Sequence, residues 1–167
     1  HCFILSNVDS YAFQNYYDPA LTGNWGFKES PLWAMHDSRK YPHVGGMCCN
    51  LIGPGTVGFN AGHLPDLSPL VTKDLSQAYM AGRKIAAEYL AALKEFFPAA
   101  FGNAYLVATA PAMGIRESRR IVGDYTLTID DYISRRAFAD DIAKNIYIID
   151  LHRRPGEEDE QRQRYQN

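Results

Sequence analysis

The feature that most constrains the fold is a long amphipathic stripe between Thr72 and Pro98. Leu75, Tyr79, Gly82, Ala86, Tyr89, Leu93 and Phe96 recur at spacings of three and four residues, and Ala78, Ile85 and Phe97 widen the band. That period predicts a helix. Thr72 stands where a capping side chain belongs, Asp74 suits the positive N-terminal end, and Pro98 blocks continuation. Lys73, Gln77, Lys84, Glu88, Lys94 and Glu95 form the opposite, solvated face. This helix is read as scaffold, its apolar side lying on a sheet.

Shorter runs supply that sheet. Cys2 to Leu5 reads as a strand, ended by the turn and cap residues Ser6 to Ser10. A helix is expected over roughly 11–17, stopped by Asp18-Pro19. Gly23, Gly26, Pro31 and Pro42 then break any period, leaving a loop anchored by Trp25, Phe27 and Trp33. Ala104 to Ala110 reads as a buried strand, and Ile121, Tyr125 and Leu127 as a second one bent near Gly123. Thr128 with Asp131 three residues on makes a capping-box-like helix start. The helix would carry Tyr132, Ile133, Phe138, Ile142 and Ala143, broken near Arg135-Arg136, with a strand over Ile146 to Asp150. The fold class expected is α+β, helices packed on a mixed, largely antiparallel sheet. Residues 1–152 form that body, and 153–167 are a polar tail or linker.

Composition closes off several functions. A net charge of −2 gives no general attraction to nucleic acid or anionic lipid. No apolar run approaches the roughly 18 residues that cross a bilayer, and no export leader opens the chain. Three cysteines, two of them the vicinal Cys48-Cys49, match neither a disulfide framework nor a zinc knuckle, so a reducing, cytoplasmic setting is expected. His36, His43 and His63 lack metal-ligand spacing, and no metal is expected. The first residues already read as a strand without an initiator Met, as in a piece of a longer polypeptide.

Gly53-Pro54-Gly55-Thr56-Val57-Gly58 matches G-x-G-x-x-G in letters. A dinucleotide site needs a helix to start at once, so that its amides face the pyrophosphate. Asn60, Gly62 and Pro65 follow instead, which favours a glycine-rich hairpin. Chemistry concentrates elsewhere, in Gly114-Ile115-Arg116-Glu117-Ser118-Arg119-Arg120-Ile121-Val122-Gly123-Asp124-Tyr125-Thr126-Leu127-Thr128. Arg116, Arg119 and Arg120 offer planar forks that pair with carboxylate or phosphate and cannot shed their charge. Such crowding calls for anions opposite, from the protein itself or from a ligand.

That run, followed by Asp130-Asp131, Phe138, Asp140, Ile142-Ala143 and Tyr147-x-x-Asp150-x-His152, resembles the interior of FAD-dependent oxidoreductases of the two-domain, glutathione-reductase-like type. The resemblance implies the substrate-domain portion of an enzyme that moves a hydride between FAD and a small organic substrate. The flavin-binding fingerprints such proteins carry near their two ends have no counterpart in these residues. The remainder of the flavoprotein, in the same or another chain, is therefore the expected partner, with oligomer formation open and neither nucleic acid nor membrane involved.

Within that frame Arg116 and Arg120, on one face if the segment is a strand, would anchor a substrate carboxylate or offset charge on reduced flavin. Arg119 and Ser118 would contact substrate or flavin, and Glu117 would orient an arginine. Tyr125 is a hydroxyl donor candidate. His152, with an ordinary pKa of about 6.5, is the candidate for proton transfer. The rival reading is a non-catalytic domain that binds a carbohydrate or another protein through the aromatic loops around Trp25 and Trp33.

Overall fold

The computed structural model describes residues 1–17, 34–35, 37–45, 47–116, 118–145 and 147. They belong to two compact units, His1–Ser118 and Arg119–Asn167.

The first unit is a four-stranded sheet covered on one face by helix. Strands β1 (Phe3–Ser6), β2 (Cys48–Gly53), β3 (Thr56–Asn60) and β4 (Tyr105–Thr109) stand in the order β2-β3-β1-β4. Every pairing is antiparallel, with Phe3 opposite Phe59 on one side of β1 and Thr109 on the other. With its helices this is the α+β architecture expected. Helix α1 (Ser10–Ala12) follows β1 and continues as a π-helix over Phe13–Tyr17. Asp9 caps it, its carboxylate accepting the Ala12 N–H at 2.8 Å.

The long helix is α2 (Thr72–Phe96). The cap position is Val71, so Thr72 is the first helical residue and its side chain makes no cap bond. Asp74 ties down the entry instead, accepting the Ser68 N–H at 3.1 Å. Pro98 ends α2 and opens the short helix α3 (Pro98–Phe101), where its missing N–H costs nothing. Ile85, Ala86, Tyr89 and Leu93 of α2 are buried with Phe3, Leu5, Val57 and Phe59 of the sheet. Phe3 stacks on Phe59 with ring centres 4.7 Å apart and tilts against Tyr89 at 5.6 Å. Each such large side chain buried contributes about 1.5–3 kcal/mol.

Three local expectations are corrected or sharpened here. The strand at Ala104 to Ala110 is an edge strand; Tyr105 and Val107 are exposed, because among the described residues no helix covers their face of the sheet. Gly53 to Gly58 is the expected hairpin: β2 turns through Pro54-Gly55 into β3, and Gly55 has φ +63°. The vicinal cysteines are successive strand residues, so Cys48 is exposed and Cys49 buried. The loop over 37–45 is pinned to α2 by Lys40 and Tyr41 on Glu95 and by His43 on Glu88. Among the described residues no helix is long and apolar enough to cross a membrane.

Among the described residues of the second unit the regular element is the five-residue helix α4 (Ile129–Ile133). The expected continuation to Ala143 does not form. Arg135 takes φ +53°, a left-handed turn that sends the chain back on itself. No strand forms over 118–128 either: Ile121 and Val122 are adjacent rather than alternating, and both lie in solvent. The strand expected at Ile146 to Asp150 falls mostly outside the described residues, as do the Trp25 and Trp33 loop and the polar tail.

Candidate functional site

The arginine-rich segment leaves β4 through residues 110–113. Tyr79 of α2 holds its start, the Tyr79 hydroxyl accepting the Met113 N–H at 3.1 Å. Beyond that point Arg116 and Ser118, at the end of the first unit, are exposed. Arg119 and Arg120 begin the second unit and are exposed as well. Because 118–128 is not a strand, the alternation that would put Arg116 and Arg120 on one face does not apply. Glu117 and His152 lie outside the described residues.

The ordered chemistry of the second unit gathers around Asp131. Thr128 caps α4 with a full capping box: its hydroxyl accepts the Asp131 N–H at 3.2 Å, and its own N–H donates to Asp131 Oδ2 at 2.9 Å. The same carboxylate accepts the Thr128 hydroxyl at 2.8 Å and the Tyr125 hydroxyl at 2.7 Å. Arg136 completes the set, its Nη1 reaching Asp131 Oδ1 at 3.1 Å and the Tyr125 oxygen at 3.0 Å. Asp131 is only 7% exposed, while Ile121 and Val122 nearby in sequence are 96% and 100% exposed. Among the described residues this unit is therefore organised around a buried carboxylate and not around an apolar core.

The electrostatics follow from those bonds. The Thr128 N–H, then the Tyr125 and Thr128 hydroxyls, then Arg136 hold the Asp131 carboxyl far below the usual carboxylate range, against the opposing effect of burial. Asp131 is thus a fixed anion and not a proton carrier near neutral pH. Its bond to Tyr125, aided by burial, pushes the phenol upward. Tyr125 spends its proton on Asp131 and its oxygen on Arg136. The ring is half exposed and packs against Phe138 with centres 5.3 Å apart. Arg136 lies over both rings, 4.8 Å from the centre of Phe138 and 5.5 Å from that of Tyr125.

Of the residues singled out from sequence, the structure brings Tyr125 into this cluster and places Arg119 and Arg120 in the same unit. Asp131 and Arg136 were not foreseen as site residues. The Thr128-to-Asp131 spacing was a visible signal for the cap. Arg136 had none, because the left-handed turn at Arg135 breaks the helical period that would relate it to Asp131. Among the described residues no three His, Cys, Asp or Glu side chains converge as metal ligands would.

With the geometry in place, one comparison is informative. A family model described as FAD dependent oxidoreductase matches residues 2–167. No curated protein and no solved structure matches the chain. FAD is the cofactor that family implies. Its pyrophosphate would need glycine-rich backbone running into a helix N-terminus. The one such candidate in the sequence is the β2–β3 hairpin, and the next long helix begins only at Thr72. Gly53 to Gly58 thus forms the hairpin its following residues favour and no helix N-terminus, and the described residues do not build the dinucleotide cradle.

Proposed function

Since the chain belongs to the family of FAD-dependent oxidoreductases, we propose that it is the substrate-facing portion of an enzyme that moves a hydride between FAD and a small organic substrate. The observation that carries this reading is the family match, which spans residues 2–167. The electron transfer is the flavin's chemistry, and the protein supplies binding, orientation and charge. The exposed arginine segment supports an anionic substrate: Arg116 or Arg120 anchors its carboxylate, Arg119 and Ser118 are further candidate contacts, and Glu117 orients a guanidinium. Tyr125 lines the approach, and His152 moves the proton that accompanies the hydride. Residues 1–152 form this portion and 153–167 a linker; the remainder of the flavoprotein, in the same or another chain, holds the cofactor. The setting is reducing and cytoplasmic.

The test is the colour of the intact polypeptide. Flavin bound to it gives absorbance bands at roughly 375 and 450 nm, which bleach on reduction. A colourless protein that takes up no FAD and binds glycans through the region of Trp25 and Trp33 would replace this reading with its rival.

A further inference from the structure

Arg136 is held by several contacts of its side chain. Its Cζ lies 4.8 Å from the centre of the Phe138 ring and 5.5 Å from that of Tyr125, against the packed pair of rings. Its described side-chain hydrogen bonds both leave from Nη1, one to the Tyr125 oxygen at 3.0 Å and one to Asp131 Oδ1 at 3.1 Å. Two protons sit on that nitrogen, so these two bonds use it fully. Nε and Nη2 take no part in these contacts. In a guanidinium those two nitrogens form the side-on fork, whose parallel N–H bonds match the two oxygens of a carboxylate. The side chain is 54% exposed, and its described contacts leave the Nε and Nη2 edge unused.

The carboxylate does not need the arginine, whereas the arginine needs the carboxylate. Asp131 already accepts three bonds from Thr128 and Tyr125. Arg136 contributes least among the groups that lower its proton affinity. Removing Asp131, by contrast, frees Nη1 and lets a long, flexible side chain swing. Preorganised donors lose less freedom on binding than mobile ones, and that difference appears as affinity.

We infer that Arg136, aimed by Asp131 and Tyr125, is an anion-reading residue that takes a small carboxylate on its Nε–H and Nη2–H edge. This deepens the proposed function and rests on its claim that the substrate is a small anion. Asp131 is the positioning residue, acting through Arg136 and touching no ligand itself.

Titration of the full chain with succinate, at constant ionic strength and followed by the arginine Nε–H resonances in NMR, tests the inference. The resonance that Arg136→Lys deletes moves saturably in the wild type, and Arg136→Lys binds succinate more weakly. Asp131→Asn weakens binding about tenfold, as expected for loss of one oriented charge-assisted contact. Because Asp131→Asn also weakens the cap of α4, Tyr125→Phe serves as the second variant. It keeps the ring stack and the carboxylate, and its affinity falls between the other two with an unchanged backbone spectrum. No saturable movement, or Asp131→Asn and Tyr125→Phe both binding as tightly as the wild type, overturns the inference. Binding that survives Arg136→Lys but is lost in Arg120→Gln overturns it and leaves the proposed function standing. An intact polypeptide without flavin removes the function and leaves the Arg136 site to be judged by the titration.

Discussion

The Tyr125 hydroxyl donates to Asp131 Oδ2 at 2.7 Å across six residues of chain, and this bond closes the loop that leads from the arginine-rich segment into α4. It ties the fate of the tyrosine to the ionisation of the carboxylate. A carboxyl whose folded pKa is depressed stabilises the fold above its unfolded pKa, about 3.9 for Asp. That stability is lost as pH falls through the folded value. Thermal melts of the wild type between pH 7 and pH 2 should therefore lose midpoint steadily below about pH 4. Asp131→Asn should start lower and show a flatter acid limb. Parallel limbs in the two proteins would show that the carboxylate is not linked to folding.

Tyr89 makes the opposite kind of linkage. Its ring is buried under the sheet and its oxygen accepts the Gly45 N–H at 2.9 Å. Burial, the dominant cause, pushes its phenol above the ordinary value. The neutral form is favoured in the fold, so the stabilisation is complete below the unfolded pKa of about 10 and is lost as pH rises past it. Ultraviolet titration of tyrosinate should show a fraction that ionises only with unfolding, and that fraction should shrink in Tyr89→Phe. The same variant should cost about 1 kcal/mol in a urea melt at neutral pH, the net worth of one hydrogen bond.

Gly55→Ala should destabilise the hairpin by about 1–2 kcal/mol, since a β-carbon is strained at φ +63°. A Cβ there would also come within 3.3 Å of the Val8 carbonyl oxygen. Denaturant midpoints measure the loss, and Gly55→Asn should lose less, because Asn tolerates this region better. Equal stability of Gly55→Ala and wild type would contradict the turn geometry.

How far the fold could be read from the chain depended on how local the governing physics was. The period of Leu75, Tyr79, Gly82, Ala86, Tyr89 and Leu93 is a property of neighbours along one helix, and α2 spans Thr72–Phe96 as that period requires. The hairpin at Pro54-Gly55 was legible for the same reason. Ala104 to Ala110 misled because apolar content does not say whether a strand is central or at an edge; Tyr105 and Val107 lie on the uncovered face. Ile121, Tyr125 and Leu127 suggested a strand, yet no neighbouring strand pairs with them among the described residues. The grouping of Tyr125, Asp131, Arg136 and Phe138 was least visible of all. It depends on one left-handed residue, Arg135, for which composition and period carry no signal. Of the site residues read from sequence, Arg119, Arg120 and Tyr125 share the second unit with that grouping; His152 and Glu117 fall outside the described residues.

We propose that the arginine-rich segment serves an anionic substrate beside a flavin held by the same enzyme. It is tested most directly by titrating the flavin-loaded intact polypeptide with small carboxylates and following the flavin band at roughly 450 nm. A saturable spectral change is expected in the wild type, weakened about tenfold or more in Arg116→Gln or Arg120→Gln with FAD content unchanged. A flavin spectrum that no carboxylate perturbs, or one perturbed identically in the wild type and both arginine variants, would contradict it.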